Sequence, residues 1–376
     1  MIRSSTADLA SADWSYPTHL PRAATSTAHD GTSSGRVPSF AFVGWNPFQI
    51  RHVLEIAQAL ENSCFIIEKK RKHVFNFEEE LLTETGIPTI IISTKNIHLL
   101  DGLFDVFICQ TPFTNMDTIQ KSSIAMIQYG YAKAGHNYGS WRSQAHLNIL
   151  YGDHAARNIS SMSPVAVTGN PAFDKWHDRA FHESAQARFR SSLDPSKKTL
   201  LYAPTWGDLS TSEIYLKEIV SLTDEFNVVL KLHHNTDLIE KRKRDRMSSN
   251  APISFGANVS LLELMAVSDV LLSDYSGAIF DALYCELPIV LLHHESEKRV
   301  GEKFHLDSPE YSDRHKIGPV VEASGKVRQT VRDLLTGNLD FSAVNKTMRE
   351  DLYLSGPGAV QRAVDALYAL ALGKAA

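Results

Sequence analysis

Short apolar runs separated by polar turns are the dominant pattern along this chain. Runs that fit strands buried on both faces occur at 39–44, 64–67, 89–92, 106–109, 124–128, 147–151 and 165–168, and a second series occurs at 199–203, 228–232, 270–272 and 288–292. Segments with helical spacing, such as 49–60, lie between them. Continuous apolar strands that alternate with helices are typical of parallel sheets, so the pattern predicts an α/β protein.

The two series of strands predict two Rossmann-like domains with parallel sheets that face a cleft. The predicted division assigns 37–175 to the N-terminal domain, 176–198 to a linker, 199–350 to the C-terminal domain and 351–376 to a helix that packs back across the domains. Residues 1–36 are rich in Ser, Thr, Ala and Gly and have little apolar periodicity, which predicts a disordered leader.

The stretch 268–292 is the most informative part of the C-terminal domain. It contains an apolar strand, a polar turn that ends in Ser276 and Gly277, a helical segment and a second apolar strand. Such a turn presents backbone N–H groups and a helix dipole to an anion, which suits the phosphates of a nucleotide. A Ser-Gly pair before a helix is also a common N-cap without any ligand, so the turn alone leaves both interpretations open.

Polar residues also follow other predicted strands of this domain. Thr205 comes after the strand at 199–203, and His233 and His234 follow the strand at 228–232. The carboxyl ends of parallel strands meet at one edge of a sheet, where doubly wound folds bind their ligands. We therefore expect these side chains to lie together with the Ser-Gly turn and to bind phosphates.

Two carboxylates accompany the same turn. Asp274 lies within it, and Asp281 is five positions beyond Ser276, about one turn into the predicted helix. Asp281 could accept hydrogen bonds from ribose hydroxyls, or it could be an ordinary carboxylate on a helix surface. On paper, Asp274 could form a metal site with four histidines, which are His233, His234, His293 and His294. No compact ligand motif such as HExxH is present, so we expect neither a metal nor another cofactor.

The N-terminal domain contains an unusual loop at 129–139. The loop combines three glycines, three tyrosines, one lysine and one histidine at the end of a predicted strand. Open α/β sheets bind ligands at such ends, and a flexible aromatic loop that covers the sheet end is the alternative interpretation. The loop after the first strand, which contains Gly44 and Asn46, could also approach a ligand.

Composition and charge restrict the partners. The hydrophobic content of 43% and charged content of 22% are typical of globular proteins, and the net charge of −5 gives no global attraction to nucleic acid or acidic lipid. The basic run at 241–246 is a local exception. It could be a solvated helix face, or it could dock on an anionic lipid or an anionic acceptor.

Cysteine spacing and hydropathy bear on the cellular compartment. Cys64, Cys109 and Cys285 lie far apart, which predicts buried, reduced thiols. No apolar run approaches the ~20 residues of a membrane span. The N-terminus also lacks a basic region followed by an apolar core. We therefore expect a cytoplasmic protein that is peripheral on the inner face of the cell membrane if it meets a membrane.

The second half of the sequence resembles the CDP-glycerol glycerophosphotransferase family, which contains the teichoic acid polymerases and primases and has the two-domain GT-B architecture. The motifs that carry the resemblance are Thr168-Gly169-Asn170-Pro171 with Asp174, Tyr202-Ala203-Pro204-Thr205, Lys231-Leu232-His233, and Asp274-Tyr275-Ser276 followed by Asp281. The turn that contains Ser276 is also similar to that of UDP-N-acetylglucosamine 2-epimerases, which share the fold.

The resemblance implies a nucleotide-activated donor in the C-terminal domain. It places His233 and Ser276 on the donor phosphates, Thr205 beside them and Asp281 near the ribose. The full set that we predict for donor binding is Thr205, His233, His234, Asp274, Ser276, Gly277 and Asp281. The N-terminal domain becomes the acceptor side, to which we assign Gly44, Asn46, Tyr129, Gly130 and Asn170.

One family motif is altered in this chain. The family usually offers His-Gly-Thr followed by Lys in the N-terminal domain, and its His is the proposed general base. The matching place here is Gln128-Tyr129-Gly130-Tyr131-Ala132-Lys133, which lacks the His. We hypothesise a catalytic set in which Lys133 supplies charge to the donor, His136 takes the proton from the acceptor hydroxyl and His233 binds the donor phosphates.

These features predict a transferase that moves a polyol phosphate from a CDP-activated donor to a hydroxyl of a surface polysaccharide or its lipid-linked precursor. A GT-B glycosyltransferase that uses a UDP- or CMP-sugar is the first alternative, and the missing His favours it. A nucleotide-sugar 2-epimerase is the second. A nucleotide sensor or scaffold that binds the donor without turnover is the non-enzymatic alternative. The expected partners are the nucleotide-activated donor and a glycan or lipid-linked acceptor, without nucleic acid.

Overall fold

The computed structural model describes residues 36–69, 82–83, 85–294 and 308–373. Apart from Arg36, the predicted disordered leader lies outside these residues. The chain divides into two compact units, in which unit 1 takes 1–129, 140–174 and 356–376 and unit 2 takes 130–139 and 175–355. Each unit therefore combines segments that are distant in sequence.

Within the described residues, each unit is built on one sheet. The strands of unit 1 are β1 (Phe40–Gly44), β2 (Ser63–Lys69), β3 (Thr89–Ser93), β4 (Val106–Cys109), β5 (Ser123–Ile127), β6 (Leu147–Leu150) and β7 (Val165–Val167). The strands of unit 2 are β8 (Thr199–Tyr202), β9 (Asn227–Lys231), β10 (Ile253–Phe255), β11 (Val270–Ser273), β12 (Ile289–Leu292) and β13 (Val320–Val321).

Helices connect these strands. Those of unit 1 are α1 (Pro47–Ala59), α3 (Asp153–Ile159) and α14 (Ala359–Ala371). Those of unit 2 are α2 (Ala134–Asn137), α4 (Arg179–Phe189), α5 (Ser212–Ser221), α6 (His234–Leu238), α7 (Lys241–Asn250), α8 (Leu261–Met265), α9 (Ala278–Tyr284), α10 (Pro309–Ser312), α11 (Arg314–Ile317), α12 (Val327–Leu335) and α13 (Ser342–Leu352).

The sheet of unit 1 is parallel throughout and has the order β3-β2-β1-β4-β5-β6-β7. Alternate side chains of the central strands enter separate cores on the two faces of the sheet: in β1, Phe40 and Phe42 face one core while Ala41 and Val43 face the other. Helices α1 and α14 cover the first of these cores. Burial on both faces explains why these strands are continuous apolar runs in the sequence.

The C-terminal helix α14 is held in unit 1 by the motif that follows β7. The carboxylate of Asp174 accepts hydrogen bonds from the backbone N–H groups of Ala359 (2.9 Å) and Val360 (2.8 Å), at the first turn of α14. The guanidinium of Arg362 donates to the carbonyl of Thr168 at 2.8 Å. A carboxylate at a helix N-terminus satisfies unpaired N–H groups and complements the helix dipole.

The sheet of unit 2 is also parallel, with the order β10-β9-β8-β11-β12-β13. One of its faces packs against Tyr215 and Ile219 of α5 and against Val327 and Val331 of α12. The strand order reverses between β8 and β11, which makes their carboxyl ends the topological switch point of the unit.

The predicted α/β fold with two Rossmann-like parallel sheets is confirmed. Residues 130–139 fall in unit 2, although our boundaries placed them in the N-terminal domain. Residues 176–198, which we predicted as a linker, also belong to unit 2 and contain α4. Helix α4 buries Ala185 and Phe189, so this part of the chain contributes to packing.

Candidate active site

The switch point of unit 2 brings together residues that follow three different strands. Thr205 follows β8, His233 follows β9 and Ser276 follows β11, and β8 lies between the other two strands in the sheet. The indole ring of Trp206 stacks on the His233 imidazole with ring centroids 6.1 Å apart. The structure therefore places these predicted site residues at one edge of the sheet.

Asp274 joins the loops after β8 and β11. Its carboxylate accepts hydrogen bonds from the backbone N–H groups of Thr205 (2.7 Å) and Thr211 (2.9 Å) and from the Thr211 hydroxyl (3.0 Å). Asp274 is fully buried, and burial raises the pKa of its carboxyl although these hydrogen bonds oppose the rise. Both carboxylate oxygens thus hold the loop that carries Thr205, and direct contact of Asp274 with a donor stays a prediction.

The two histidines after β9 form a stacked pair. Their ring centroids lie 4.2 Å apart with an interplanar angle of 30°. The Nδ1 atom of His233 accepts a hydrogen bond from the backbone N–H of Asn235 at 3.1 Å, so His233 caps α6 and, when neutral, carries its proton on Nε2. Burial, followed by the nearby His234, Lys133 and Lys231, lowers the pKa of His233 well below its usual value. His233 is therefore a neutral N–H donor near pH 7, which can hydrogen-bond a phosphate oxygen.

Lys133 reaches this edge from residues 130–139. Its ammonium lies 5.7 Å from the centroid of the Trp206 ring, on which His233 stacks. The positive charge of Lys133 also contributes to the lowered pKa of both His233 and His234, the latter falling to about 4 mainly because of burial. Lys133 is thus a cation beside the predicted phosphate-binding residues, as its assigned role requires.

The Ser-Gly turn lies at the start of α9. The Ser276 hydroxyl accepts a hydrogen bond from the backbone N–H of Ala278 at 3.3 Å, and the side chain is almost completely buried. A side chain at Gly277 would have its Cβ 3.9 Å from that of Ala132. Residues 130–139 therefore pack against this turn as well as against Trp206.

Asp281 lies in the middle of α9, and its side chain is half-buried. Burial raises the pKa of its carboxyl to about 7. Burial, followed by the nearby charge of Asp281, raises the pKa of the Cys285 thiol, one turn further along the helix. Among the described residues the Asp281 carboxylate has no hydrogen-bond partner, so a polar ligand group would be its first partner, as expected for a ribose-binding carboxylate.

We expect Asp281→Asn to reduce the pH dependence of stability. Between the ordinary pKa of 3.8 and the raised value of about 7, the folded protein binds more protons than the unfolded chain, so stability falls as pH rises through this range. The difference of about 3 in pKa corresponds to at most about 4 kcal/mol at pH 8, less because the side chain is partly exposed. Urea unfolding at about pH 5 and pH 8 measures this effect.

The matched control for that measurement is Asp245→Asn, which changes an exposed aspartate of α7 that pairs with Arg244. Glu310, whose carboxyl pKa burial also raises to about 7, retains part of the pH dependence in both variants. The same loss of stability between the two pH values in wild type and Asp281→Asn would contradict our account of Asp281.

Glu310 and Arg314 were not predicted, although both lie at this site. The Glu310 carboxylate accepts a hydrogen bond from the backbone N–H of Lys133 at 2.6 Å. Arg314 donates to the carbonyl of Asp274, which follows β11, and to that of Leu292, which ends β12, each at 3.0 Å. Neither residue stands next to a strand end in the sequence, and only their long-range contacts identify them.

Several residues that we assigned to the acceptor side have local structural roles in unit 1. Asn46 caps α1 by accepting from the N–H of Gln49 at 2.9 Å, and Asn170 accepts from the N–H of Ala172 at 3.2 Å. Gly44 ends β1, two residues before Asn46. Contact of these residues with an acceptor stays a prediction.

The remaining two acceptor-side residues are Tyr129 and Gly130. Tyr129 packs edge-on against Phe48, with ring centroids 5.5 Å apart, and burial raises the pKa of its hydroxyl. Gly130 is half-buried and begins the segment that belongs to unit 2. His136 lies in the short helix α2, and the described structure does not include its side chain, so its role as general base stays a prediction.

Gln128, which takes the place of the family His, is fully buried. Its side-chain oxygen accepts from the N–H of Tyr151 at 2.9 Å, and its carbonyl accepts from the Tyr151 hydroxyl at 2.7 Å. That hydroxyl also lies 2.9 Å from Nε2 of His52, whose Nδ1 contacts the amide of Gln110. Gln128 therefore belongs to an internal hydrogen-bond network of unit 1 rather than presenting a base.

The described residues contain no cluster of three His, Cys, Asp or Glu side chains arranged to hold a metal ion. Two of the four histidines that could form a metal site contact Tyr275 instead. The Nδ1 of His293 lies 3.3 Å from the Tyr275 hydroxyl, which also donates to the carbonyl of His294. A reaction without a metal stays our prediction. Among the described residues, no helix has the length and apolar character needed to cross a bilayer.

The comparison with protein families agrees with this geometry. Residues 152–310 match the family described as CDP-Glycerol:Poly(glycerophosphate) glycerophosphotransferase. The predicted family resemblance is confirmed. The matched region of this glycerophosphotransferase family contains the loops after β8, β9 and β11, and it ends at Glu310.

Curated relatives come from Bacillus spizizenii. The chain is 29% identical to a teichoic acid glycerol-phosphate primase over 136 residues, which are 34% of each chain. It is 26% identical to a teichoic acid poly(glycerol phosphate) polymerase over 183 residues, 44% of this chain and 43% of the relative. It is 22% identical to a teichoic acid poly(ribitol-phosphate) polymerase over 313 residues, 72% of this chain and 48% of the relative. The chain thus spans less than half the length of each of these relatives.

Solved structures share the fold. The wall teichoic acid polymerase TagF has a TM-score of 0.63 and 14% identity, with 89% of each chain covered. The UDP-GlcNAc 2-epimerase of Neisseria meningitidis, bound to UDP-GlcNAc, has a TM-score of 0.58 and 16% identity, with 88% of this chain and 99% of the epimerase covered. These likenesses confirm the predicted GT-B fold.

Proposed function

We propose that this chain is a transferase that moves a polyol phosphate from a CDP-activated donor to a hydroxyl of a cell-envelope polysaccharide or its lipid-linked precursor. The observation that carries the proposal is that the family match contains the sheet edge that we predict to bind phosphates. Residues 152–310 include Thr205, His233 and Ser276, which meet at the switch point of unit 2. The relatives named above act in teichoic acid synthesis, which supports a polymer acceptor.

The proposed reaction is a phosphoryl transfer. The acceptor hydroxyl oxygen attacks the phosphorus that carries the polyol, the bond from this phosphorus to the CMP oxygen breaks, and CMP leaves while a phosphodiester forms. The acceptor proton passes to a general base, for which His136 is our candidate. The Nε2–H group of His233 and the ammonium of Lys133 stabilise the charge on the phosphate oxygens, which is the main demand of such reactions.

The donor in this proposal is CDP-glycerol or a similar CDP-polyol. The named relatives include both glycerol phosphate and ribitol-phosphate polymerases, so the family match alone supports either polyol. A variant of the structural neighbour TagF was soaked with CDPG, which supports a cytidine nucleotide. The polyol-binding residues would then decide between glycerol and ribitol.

A sugar transferase that uses a UDP- or CMP-sugar is the second candidate. One observation favours it: the side chain of Gln128, at the place of the family His, is buried in hydrogen bonds to Tyr151. The likeness to an epimerase bound to UDP-GlcNAc supports the same candidate. A 2-epimerase, the third candidate, needs no acceptor, so product analysis with the donor alone would distinguish it.

The proposal includes a cytoplasmic location with peripheral contact to anionic lipid. Helix α7 carries the basic run, and its Lys241 is exposed. Other cations of the helix bind groups of unit 2: Lys243 donates a hydrogen bond to the carbonyl of Gly207, and Arg246 forms a salt bridge with Glu213. The exposed remainder of the run would therefore make the lipid contact.

We expect cytidine nucleotides to raise the melting temperature of the wild-type protein, and Ser276→Ala to lose this effect. Ligand bound at about 100 times its Kd stabilises the folded state by about 2.7 kcal/mol. The measurement is thermal unfolding with CDP-glycerol, CDP-ribitol, CMP, UDP, UDP-sugars and GDP-sugars. Ser249→Ala, which removes an exposed hydroxyl of α7, is the matched control and should respond like wild type.

The outcomes of this panel separate the candidates. A shift with cytidine nucleotides that Ser276→Ala abolishes supports polyol phosphate transfer. Selectivity for uridine or guanosine nucleotides would favour the sugar transferase. No shift with any nucleotide would contradict a donor site at this edge.

A further inference from the structure

Residues 130–139 lie far from unit 2 in the sequence, yet they are part of it. Two of their contacts lie at the start of α2, where the backbone N–H of Lys133 donates to the Glu310 carboxylate at 2.6 Å and that of Ala134 donates to the Ser308 hydroxyl at 2.9 Å. These are the first N–H groups of a helix, which have no partner within the helix itself. Side chains from 308–310 therefore cap α2 from a distant part of the chain.

Lys133 has a backbone conformation that needs such support. Its φ of 64° and ψ of 63° lie in the left-handed region, which costs a non-glycine residue free energy. In this conformation its ammonium lies over the Trp206 ring, beside the stacked His233 and His234. The hydrogen bond to Glu310 offsets the cost of the backbone conformation that directs Lys133 to this edge.

Glu310 is itself fixed to the sheet. The guanidinium of Arg314 donates to the Glu310 carbonyl at 3.4 Å and also to the carbonyls of Asp274 and Leu292, and its Cζ lies 4.2 Å from the centroid of the Tyr275 ring. Glu310 is fully buried, and its Oε2 atom has no hydrogen-bond partner within the described structure. A buried carboxylate with an unsatisfied oxygen costs free energy, which is unusual unless the group has a specific task.

We propose that Glu310 is a positioning residue for the transferase: its carboxylate holds the backbone of Lys133 so that the Lys133 ammonium lies at the donor phosphates. Glu310 acts through Lys133, and Ser308 supports the same segment through its hydrogen bond with the Ala134 N–H. This inference rests on the proposed function, because it assigns the Lys133 ammonium to the phosphates of a bound donor. It adds a residue that holds the Lys133 backbone, which the strand-end motifs do not predict.

A double-mutant cycle tests this inference. We expect Glu310→Ala and Lys133→Ala each to weaken binding of CDP-glycerol about tenfold, which corresponds to a loss of about 1.4 kcal/mol in binding free energy. The double variant should bind no more weakly than either single variant, because Glu310 acts only through the Lys133 side chain. Glu310→Gln keeps an oxygen that accepts from the Lys133 N–H, and it should stay within about threefold of wild type. Titration calorimetry measures these affinities.

A second measurement does not depend on donor binding. The Lys133 ammonium contacts the Trp206 ring, so Glu310→Ala should change Trp206 fluorescence in the same direction as Lys133→Ala, while Glu310→Gln should not. The Trp206 signal is obtained by subtracting the spectrum of the corresponding Trp206→Phe protein. Glu350→Ala, which removes an exposed carboxylate of α13, is the control. Ser308→Ala removes the bond to Ala134 and should have a smaller effect, which keeps the test available if Glu310→Ala does not fold.

Two results would overturn the inference. If the Kd of the double variant rises by the product of the two single-variant factors, Glu310 acts independently of Lys133. Unchanged Trp206 fluorescence in Glu310→Ala would mean that Lys133 does not move. Failure of the proposed function looks different: wild type would then not bind CDP-glycerol, while the fluorescence differences between the Glu310 variants would persist.

Discussion

His233→Ala is expected to lower kcat/KM for the donor about 10²- to 10³-fold, the loss typical of removing one preorganised hydrogen-bond donor from a developing negative charge. The expectation rests on the direction of the imidazole. Its Nδ1 accepts from the Asn235 N–H, so Nε2 carries the proton and can donate to the donor phosphate. Burial lowers the pKa of His233 well below its usual value, so this neutral form is present throughout the physiological pH range.

Asparagine separates the phosphate contact from the helix cap. In His233→Asn, the amide oxygen can accept from the Asn235 N–H, since Asn is among the best N-cap residues, but the Nε2–H group is lost. We therefore expect His233→Asn to keep the wild-type melting temperature and still lose most of the activity. His315→Ala, which replaces an exposed histidine of unit 2, is the control for general effects of losing an imidazole.

Steady-state kinetics with varied donor measure this prediction. If the contact forms mainly in the transition state, kcat falls while KM for the donor changes little. Wild-type kcat/KM in His233→Asn would contradict the role of Nε2. Loss of activity only in His233→Ala, together with a lowered melting temperature, would assign His233 to capping α6 alone.

The sequence contains a clear signal for the strands of both sheets because their side chains are buried on both faces. Val106–Cys109 was predicted with its observed ends, and most other strands differ from prediction by a residue or two at an end. The strands that were missed, Ile253–Phe255 and Val320–Val321, are the edge strands of unit 2. Ser254 interrupts the first of them and the second has only two residues, so neither forms a recognisable apolar run.

From spacing alone, the sequence predicts the site residues that stand next to a strand end, while Lys133 and Asp281 were predicted through the family resemblance. Thr205, His233 and Ser276 follow strand ends, and the strand order alone brings them together. Glu310 meets Lys133 across 177 positions of sequence, and no local pattern encodes such a contact. Asp174 was recognised as part of a family motif, yet its carboxylate holds α14 across 185 positions.

Asp274→Ala is expected to be the most destabilising of the substitutions considered, at about 3 to 5 kcal/mol. The buried Asp274 carboxylate accepts hydrogen bonds from the Thr205 N–H, the Thr211 N–H and the Thr211 hydroxyl. Hydrogen bonds to a charged group contribute about 1.5 to 3 kcal/mol each, and the substitution leaves three buried donors without their acceptor. The raised pKa of Asp274 limits the loss, because burial already disfavours the charged form.

The physical consequence is the release of the loop that carries Thr205. Asp274→Asn should be intermediate, since its amide oxygen can still accept from one N–H group while its NH₂ group faces another donor. Combining Asp274→Ala with Thr211→Val should cost less than the sum of the two changes, because the Thr211 hydroxyl donates to Asp274. Such coupling would show that the loss acts through this loop.

Urea unfolding followed by far-UV circular dichroism measures the effect, with Asp245→Ala as a control that should stay within about 0.5 kcal/mol of wild type. Because the chain has two compact units, the transition of unit 2 should shift while that of unit 1 stays in place if the units unfold separately. Unfolding of Asp274→Ala at the wild-type urea concentration would mean that the three hydrogen bonds contribute little to stability. Loss of donor binding without loss of stability would instead assign Asp274 to direct contact with the donor.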